Sequence, residues 1–149
     1  MPREPSLVTL RELARCFQAF EAYSAAHVRS LGLTPPQFDI VATLGKTQGM
    51  SFKELGEKTL ITKGTLTGVV DRLEARGIVR RVNSSTDRRS TRVELTQAGA
   101  SLFDEVFPSA VSRTKQVFDK LGDAERQTLE AGLRRLREAF ASCSSGESA

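Results

Sequence analysis

Tryptophan is absent from this 149-residue chain, and histidine, tyrosine and cysteine together number four. Two cysteines, Cys16 and Cys143, cannot build the disulfide framework of a small secreted domain. With a single histidine beside them, they leave too few ligands for a zinc finger, so we expect neither a metal nor another cofactor. No stretch approaches roughly 18 consecutive apolar residues, which excludes a membrane-spanning helix.

The chain also lacks the motifs that common enzymes need. It contains no Walker-type phosphate loop, no nucleophile elbow and no HExxH pair, and the glycine-containing stretch 64–68 does not follow a strand. His27 has no evident acid–base partner, so we do not expect an enzyme. The N-terminal residues MPREPSLVTL lack the apolar core of a signal peptide, which predicts a cytoplasmic protein without a membrane partner.

Positive charge is concentrated in the middle of the chain. Length, a charged fraction of 27% and a hydrophobic fraction of 39% fit one folded domain. The net charge is +4, and residues 51–96, with ten basic and six acidic side chains, carry all of this excess. A local basic excess between neutral arms is typical of a module that binds a polyanion, although a solvated basic face without a ligand gives the same balance.

Long amphipathic helices are predicted at both ends of the chain. Apolar side chains recur at helical spacing over 7–31 and over 97–142. Pro108 should kink or break the second of these segments, because it lacks a backbone donor and clashes one turn back. The polar residues 143–149 predict a disordered tail. The two apolar stripes could cover each other within one chain or could cover a second copy.

A helix-turn-helix is predicted within residues 51–77. Ser51 and Glu54 form a capping box for a helix that ends near Lys58, and a tight turn at 59–61 follows. Thr62 is the predicted N-cap of the next helix, 63–76, which Gly77 ends. Its apolar side chains follow the i, i+3, i+4, i+7 pattern of a helix with one buried face. They are Leu66, Val69, Val70 and Leu73.

The second helix of this pair has the surface of a DNA-recognition helix. Gly64 and Gly68 lie inside it, and each costs about 1 kcal/mol of helix stability relative to alanine. Small residues flanked by hydroxyls and cations allow close approach to base edges and phosphates. The alternative is tight helix–helix packing at the glycines. The candidate DNA contacts of this helix are Thr62, Lys63, Gly64, Thr65, Thr67 and Arg72.

A β-hairpin is predicted next, with strands at 78–82 and 91–95. The polar loop between them carries Arg88 and Arg89, whose guanidinium groups suit the minor groove of A·T-rich DNA. Asp87 is anionic, so we expect it to pair with a nearby arginine and to hold the shape of the loop. A hairpin after a recognition helix is a wing, although a merely solvated turn is the alternative.

These segments together resemble the MarR family of transcriptional regulators. The resemblance covers about residues 7–142 and is carried by LTPPQFDIVATL (33–44), FKELGEK (52–58), TKGTLTGVVDRLEARGIVRR (62–81), STDRRST (85–91) and VELTQAG (93–99). It implies a mainly α fold with a small β-hairpin wing, that is, a winged helix-turn-helix over 33–96 between dimerisation helices at 7–31 and 97–142. It also implies a homodimer on a pseudo-palindromic operator in double-stranded DNA.

The resemblance assigns roles to individual positions. Lys63, Gly64, Thr65 and Thr67 match the DNA-facing surface of the family's recognition helix, and Arg89 matches the wing arginine that enters the minor groove. Arg88 and Ser90 are further candidate contacts in the wing, which Asp87 shapes. Asp71 is expected to pair with a basic residue of the hairpin.

The resemblance also raises the question of an effector. The family often binds small aromatic or phenolic anions, and Arg15, Tyr23 and His27 could line such a site, although an ordinary helix-surface role is favoured for each. Some relatives sense peroxides through a cysteine of the first helix. Cys16 lies on that helix, but a buried and inert thiol is the favoured interpretation.

The sequence therefore predicts a homodimeric repressor that a small ligand, such as a phenol, or an oxidant releases from its operator. The alternative is an architectural protein that binds DNA with little sequence preference.

Overall fold

The computed structural model describes residues 4–83 and 90–146, and a winged helix lies between the two terminal arms. Within the described residues the chain forms six helices and three strands. In chain order they are α1 (Pro5–Ser30), α2 (Pro35–Leu44), β1 (Met50–Ser51), α3 (Phe52–Lys58), α4 (Lys63–Ala75), β2 (Val79–Asn83), β3 (Thr91–Leu95), α5 (Gln97–Phe118) and α6 (Asp123–Ser145).

The three strands form one antiparallel sheet in the order β1-β3-β2. Strands β2 and β3 are the predicted hairpin, and Val79 pairs with Leu95 in their register. Strand β1 was not predicted, because two residues are too short to show an alternating pattern. It pairs Met50 with Val93 at the other edge of β3. The mainly α architecture with a small β wing is confirmed.

Helices α2, α3 and α4 share one core with the sheet. Ile40 and Leu44 from α2, Leu55 from α3, Leu73 from α4 and Val93 from β3 are almost fully buried. Each apolar stripe comes from one face of its helix or strand, as the spacing predicts. The shared core therefore fixes the helix-turn-helix against the hairpin.

The chain divides into two compact units, Met1–Ala110 and Val111–Ala149, and the boundary falls within α5. Pro108 does not break this helix, which runs without interruption from Gln97 to Phe118, so the expected break at Pro108 is wrong. Both Pro108 and Asp104, the residue one turn earlier, are exposed. The carbonyl that loses its helical donor thus lies on the exposed side of α5, where water can satisfy it.

Helix α6 extends to Ser145, so the prediction of a disordered tail from residue 143 is wrong for the described residues of that segment. The hydroxyls of Ser142, Ser144 and Ser145 each donate to a backbone carbonyl three or four residues earlier. These bonds satisfy the serine hydroxyls within the helix.

Both terminal arms expose apolar side chains. On α1, Leu7, Leu10, Phe17 and Phe20 are between 44% and 55% exposed, so a single chain does not bury this stripe. In the second unit no described residue is buried. The exposed apolar side chains of α5 and α6 in that unit are Val111, Val117, Phe118, Leu129, Leu133 and Phe140. Among the helices within 4–83 and 90–146, none combines the length and apolarity that crossing a bilayer requires.

An aspartate of α2 holds the turn that precedes α4. Asp39 is half-buried, and its Oδ2 accepts a hydrogen bond of 2.8 Å from the backbone N–H of Leu60. Burial raises the pKa of Asp39 above its ordinary value, while the bonds from Leu60 and from Thr43 oppose that rise. The carboxylate therefore fixes the turn, but its charge is partly desolvated.

The other end of α4 is tied to the end of α1. Arg76 Nη1 donates to the carbonyl of Gly32 at 3.1 Å and to Oε1 of Gln37 at 3.2 Å. Gln37 also completes a capping box with Thr34 at the start of α2. One guanidinium thus joins the C-terminal ends of α1 and α4 to the start of α2.

Replacing Asp39 separates the effect of its hydrogen bond from the effect of its charge. Asp39→Ala should lower the free energy of unfolding by about 1 kcal/mol, because Leu60 N–H loses its acceptor. Asp39→Asn keeps an acceptor without the desolvated charge, so at neutral pH it should match or exceed the wild type. Urea denaturation of the three proteins measures these differences.

The pH dependence has a definite sign. Because folding raises the pKa of Asp39, its protonation at lower pH stabilises the native state relative to the unfolded state. The difference in free energy of unfolding between Asp39→Asn and the wild type should therefore shrink from neutral pH to about pH 4. Comparing the two proteins at each pH cancels the titration of the other carboxyl groups. An Asn variant as unstable as the Ala variant would contradict this account.

Candidate nucleic-acid interface

Hydrogen bonds hold both ends of α3, the helix that precedes α4. Ser51 Oγ accepts from Glu54 N–H at 3.1 Å, and Glu54 Oε1 accepts from Ser51 N–H at 3.3 Å, so the predicted capping box is present. The hydrogen bond from Ser51 N–H lowers the pKa of Glu54. At the other end of α3, the hydroxyl of the buried Thr59 donates to the carbonyl of Leu55 at 2.6 Å. Both ends of α3 are therefore fixed.

Helix α4 is buried on one side and exposed on the other. Its apolar residues Leu66, Val69, Val70 and Leu73 are buried, as predicted. The opposite side carries the residues that were predicted to contact DNA, and all of them are exposed. These are Thr62, Lys63, Gly64, Thr65, Thr67 and Arg72.

Gly64 and Gly68 face open space. A Cβ built at either position meets no atom of the described residues within 4 Å. Tight packing against another helix of this chain, the alternative explanation for these glycines, is therefore excluded. Both glycines also weaken the helix. The exposed strip without side chains that they form therefore points to a binding partner outside this chain.

Thr62 precedes α4 as predicted, but its side chain makes no capping hydrogen bond to the backbone. Its Oγ1 lies 3.1 Å from Oγ1 of Thr65 instead. The two hydroxyls pair at the exposed N-terminal end of the helix, which leaves the first backbone N–H groups of α4 without a side-chain cap from Thr62.

A strand arginine braces α4 against the hairpin. Arg81 of β2 contacts Asp71 Oδ1 through Nη2 and Glu74 Oε1 through Nη1, at 2.5 Å and 2.8 Å, which confirms the predicted pairing of Asp71 with a basic residue of the hairpin. The bond to Asp71 is the main cause of a raised pKa of Arg81. Its guanidinium carbon also lies 5.6 Å from the ring centre of Phe52. Glu74 and Phe52 were not predicted as partners of Arg81.

The basic residues of the central segment fall into two groups. Arg80 pairs with Glu94 at 2.6 Å, and Arg92 donates to the carbonyl of Gly49 at 2.7 Å, so these two hold the sheet together. Lys53, Lys58 and Lys63 are instead exposed around α3 and the start of α4. Positive charge is thus presented beside the exposed side of α4, as a polyanion would require.

The predicted wing contacts Arg88 and Arg89, and the wing-shaping Asp87, lie outside the described residues. Ser90 is half-buried and precedes β3. At the described ends of the hairpin, Asn83 pairs with Thr91, and the Thr91 hydroxyl donates to Asn83 Oδ1 at 3.0 Å. The segment 84–90 therefore connects two strand ends that are directly paired.

The candidate effector residues all lie on α1 but in different surroundings. Arg15 is exposed and pairs with Glu12 at 3.5 Å. His27 is half-buried, and its Nε2 lies 3.2 Å from the hydroxyl of Ser109. The Ser109 hydroxyl also donates to the backbone carbonyl of Val106 in α5 at 3.0 Å. Tyr23 is exposed and lies one turn before His27 on the same helix.

Cys16 is exposed in the single chain, so the expectation that its thiol is buried is wrong. Almost all of α1 is exposed in the single chain, including the turn that carries this thiol. Cys143 is exposed as well.

Known proteins share both the sequence and the fold of this chain. The sequence profile of the MarR family matches residues 33–91. The HTH-type transcriptional repressor NicR of Pseudomonas putida is 31% identical over 124 residues, which are 83% of this chain and 78% of NicR.

Two solved structures extend the comparison to the fold. BpsR of Bordetella bronchiseptica, whose DNA binding is regulated by 6-hydroxynicotinic acid, is 30% identical with a TM-score of 0.76 and covers 85% of this chain and 91% of its own. AbsC of Streptomyces coelicolor, a MarR family transcriptional regulator, is 23% identical with a TM-score of 0.84 over 95% of this chain and 98% of its own. With its winged helix and its exposed recognition helix, this chain belongs to the MarR family of DNA-binding transcriptional regulators.

Proposed function

We propose that this chain is a homodimeric, sequence-specific repressor that inserts α4 into the major groove of a pseudo-palindromic operator. The observation that carries the proposal is the exposed side of α4, where Gly64 and Gly68 face open space beside Lys63, Thr65 and Thr67. A small and polar outer surface lets a helix enter the major groove closely enough for its side chains to reach base edges. Arg72 lies on the exposed side of the same helix.

The exposed apolar stripes support the dimer. Phe17 and Phe20 of α1, and Leu133 and Phe140 of α6, are all 44% exposed or more in one chain. Continuous apolar surface of this kind is covered by a partner in most proteins, and a second copy offers the same stripes. Two copies would present two α4 helices about one turn of DNA apart.

The wing completes the proposed contact. Arg89, with Arg88 and Ser90 beside it, would enter the minor groove next to the major groove that α4 occupies. Asp87 would hold the loop, and the braced pair of Arg81 with Asp71 would keep the hairpin in register with α4. Phosphate contacts from the exposed lysines would add affinity without base preference.

A ligand would act by changing the balance between two arrangements of the dimer. BpsR is regulated by 6-hydroxynicotinic acid, which supports a small hydroxylated aromatic acid as the effector class here. The residues that would bind the carboxylate and the hydroxyl group of such an acid are Arg15, Tyr23 and His27. Binding that favours the wrong spacing of the two α4 helices lowers DNA affinity by the difference in free energy between the states. An oxidant could act on the exposed Cys16 instead.

Selection from a library of random duplexes tests the proposal. The protein should enrich a pseudo-palindrome with half-sites about 10 base pairs apart, and calorimetric titration of that duplex should give two protomers per site. Affinity for a scrambled duplex of the same composition should be at least about a thousandfold lower. Equal affinity for both duplexes would instead indicate an architectural DNA-binding protein.

The glycines of α4 give a sharper test. Gly64→Ala should raise the free energy of unfolding by about 1 kcal/mol, because alanine favours the helix and its Cβ meets no atom of this chain. The same Cβ should weaken binding to the selected duplex by about tenfold, equivalent to about 1.4 kcal/mol. Urea denaturation and fluorescence anisotropy measure the two effects.

Gly132→Ala in α6 is the matched control, since Gly132 is also helical with open space around it. It should stabilise the fold in the same way and leave DNA affinity unchanged. A Gly64→Ala variant that binds the duplex as tightly as the wild type would contradict the close approach of α4 to DNA.

A further inference from the structure

Leu60 is the most exposed large hydrophobic side chain within the described residues, with 69% of its surface accessible. It lies in the turn between α3 and α4, whereas its neighbour Thr59 is buried and Ile61 packs against the core. The projecting apolar side chain contributes little to the fold, so its presence at this position needs another explanation.

The backbone that carries Leu60 is held on both sides. Its N–H donates to Asp39 Oδ2 at 2.8 Å, and the N–H of Thr59 donates to the carbonyl of Leu55 at 2.9 Å. After it, the carbonyl of Thr62 accepts from the N–H of Leu66 at 3.1 Å in the first turn of α4. The position of the Leu60 backbone is therefore set before the side chain meets a ligand, which lowers the entropic cost of contact.

The surroundings of Leu60 are polar and cationic. Lys58 precedes it, Thr62 and Lys63 follow it, and all three are exposed. Lysines on both sides favour a polyanion over an apolar partner surface. Within the major groove of DNA, the apolar group available to such a side chain is the C5-methyl group of thymine.

We propose that Leu60 is a specificity-determining residue that contacts a thymine C5-methyl group at the edge of the bases reached by α4. The inference rests on the DNA-binding mode proposed above, because Leu60 lies two residues before Thr62, the N-cap of α4. It adds one apolar base contact to the polar contacts of the helix and requires a thymine at the matching position of each half-site.

Deoxyuridine tests this contact, because it differs from thymidine only by the missing methyl group. Each thymine of the selected duplex is replaced in turn, symmetrically in both half-sites, and the affinity of the wild-type protein is measured. At one symmetric pair of positions the loss should be about fourfold for each methyl group removed. At the other thymines the affinity should change little.

The Leu60→Asn variant then tests whether the loss of affinity on removing the methyl group depends on the Leu60 side chain. Asparagine has nearly the shape of leucine but is polar, and the backbone bond to Asp39 remains. In this variant the sensitive position should lose its preference for thymidine over deoxyuridine, whereas Leu60→Val should keep part of it. Equal melting temperatures of the three proteins serve as the control for folding, as expected for so exposed a residue.

The outcomes separate this proposal from the function on which it rests. If selection yields no preferred sequence, the proposed function fails. If a preferred duplex is found but no deoxyuridine position weakens wild-type binding, or if Leu60→Asn shows the same pattern as the wild type, the thymine contact is overturned and the repressor function stands. Such a result would leave a protein partner as the better candidate for contact with Leu60.

Discussion

Burial of one side of α4 is the constraint on which the rest of the structure depends. Leu66, Val69, Val70 and Leu73 pack into the core shared by α2 and the sheet, so the rotation of the helix about its axis is fixed. Every residue on the opposite side is thereby turned to the exterior, including both glycines. A helix that loses stability to two glycines can hold its place only because its other side is anchored.

Three sets of polar contacts also hold α4 in place. Asp39 holds the turn before α4, Arg81 of β2 braces its middle through Asp71 and Glu74, and Arg76 joins its end to the carbonyl of Gly32 after α1. The last contact links α4 to α1, which carries the candidate effector residues and an exposed apolar stripe.

The sequence was informative wherever the signal is local. The apolar stripe of α4, the Ser51–Glu54 capping box and the two long strands of the hairpin follow from spacing within a few residues. Contacts between distant segments, such as Asp39 with Leu60, were not predictable, because nothing in the spacing pairs α2 with that turn. Pro108 and Cys16 were misjudged for a related reason. Both depend on how much of α5 and α1 is exposed, which periodicity alone does not determine.

Backbone resonances of the glycines test the central claim most directly. In an amide NMR titration of ¹⁵N-labelled protein with the selected duplex, the N–H signals of Gly64 and Gly68 should shift among the most, because they lie on the exposed side of α4. The signal of Gly132 in α6, also in open space, should stay nearly unchanged. If the N–H signals of Gly64 and Gly68 did not shift when the protein is saturated with duplex, the account would be contradicted, because another surface would then bind the DNA.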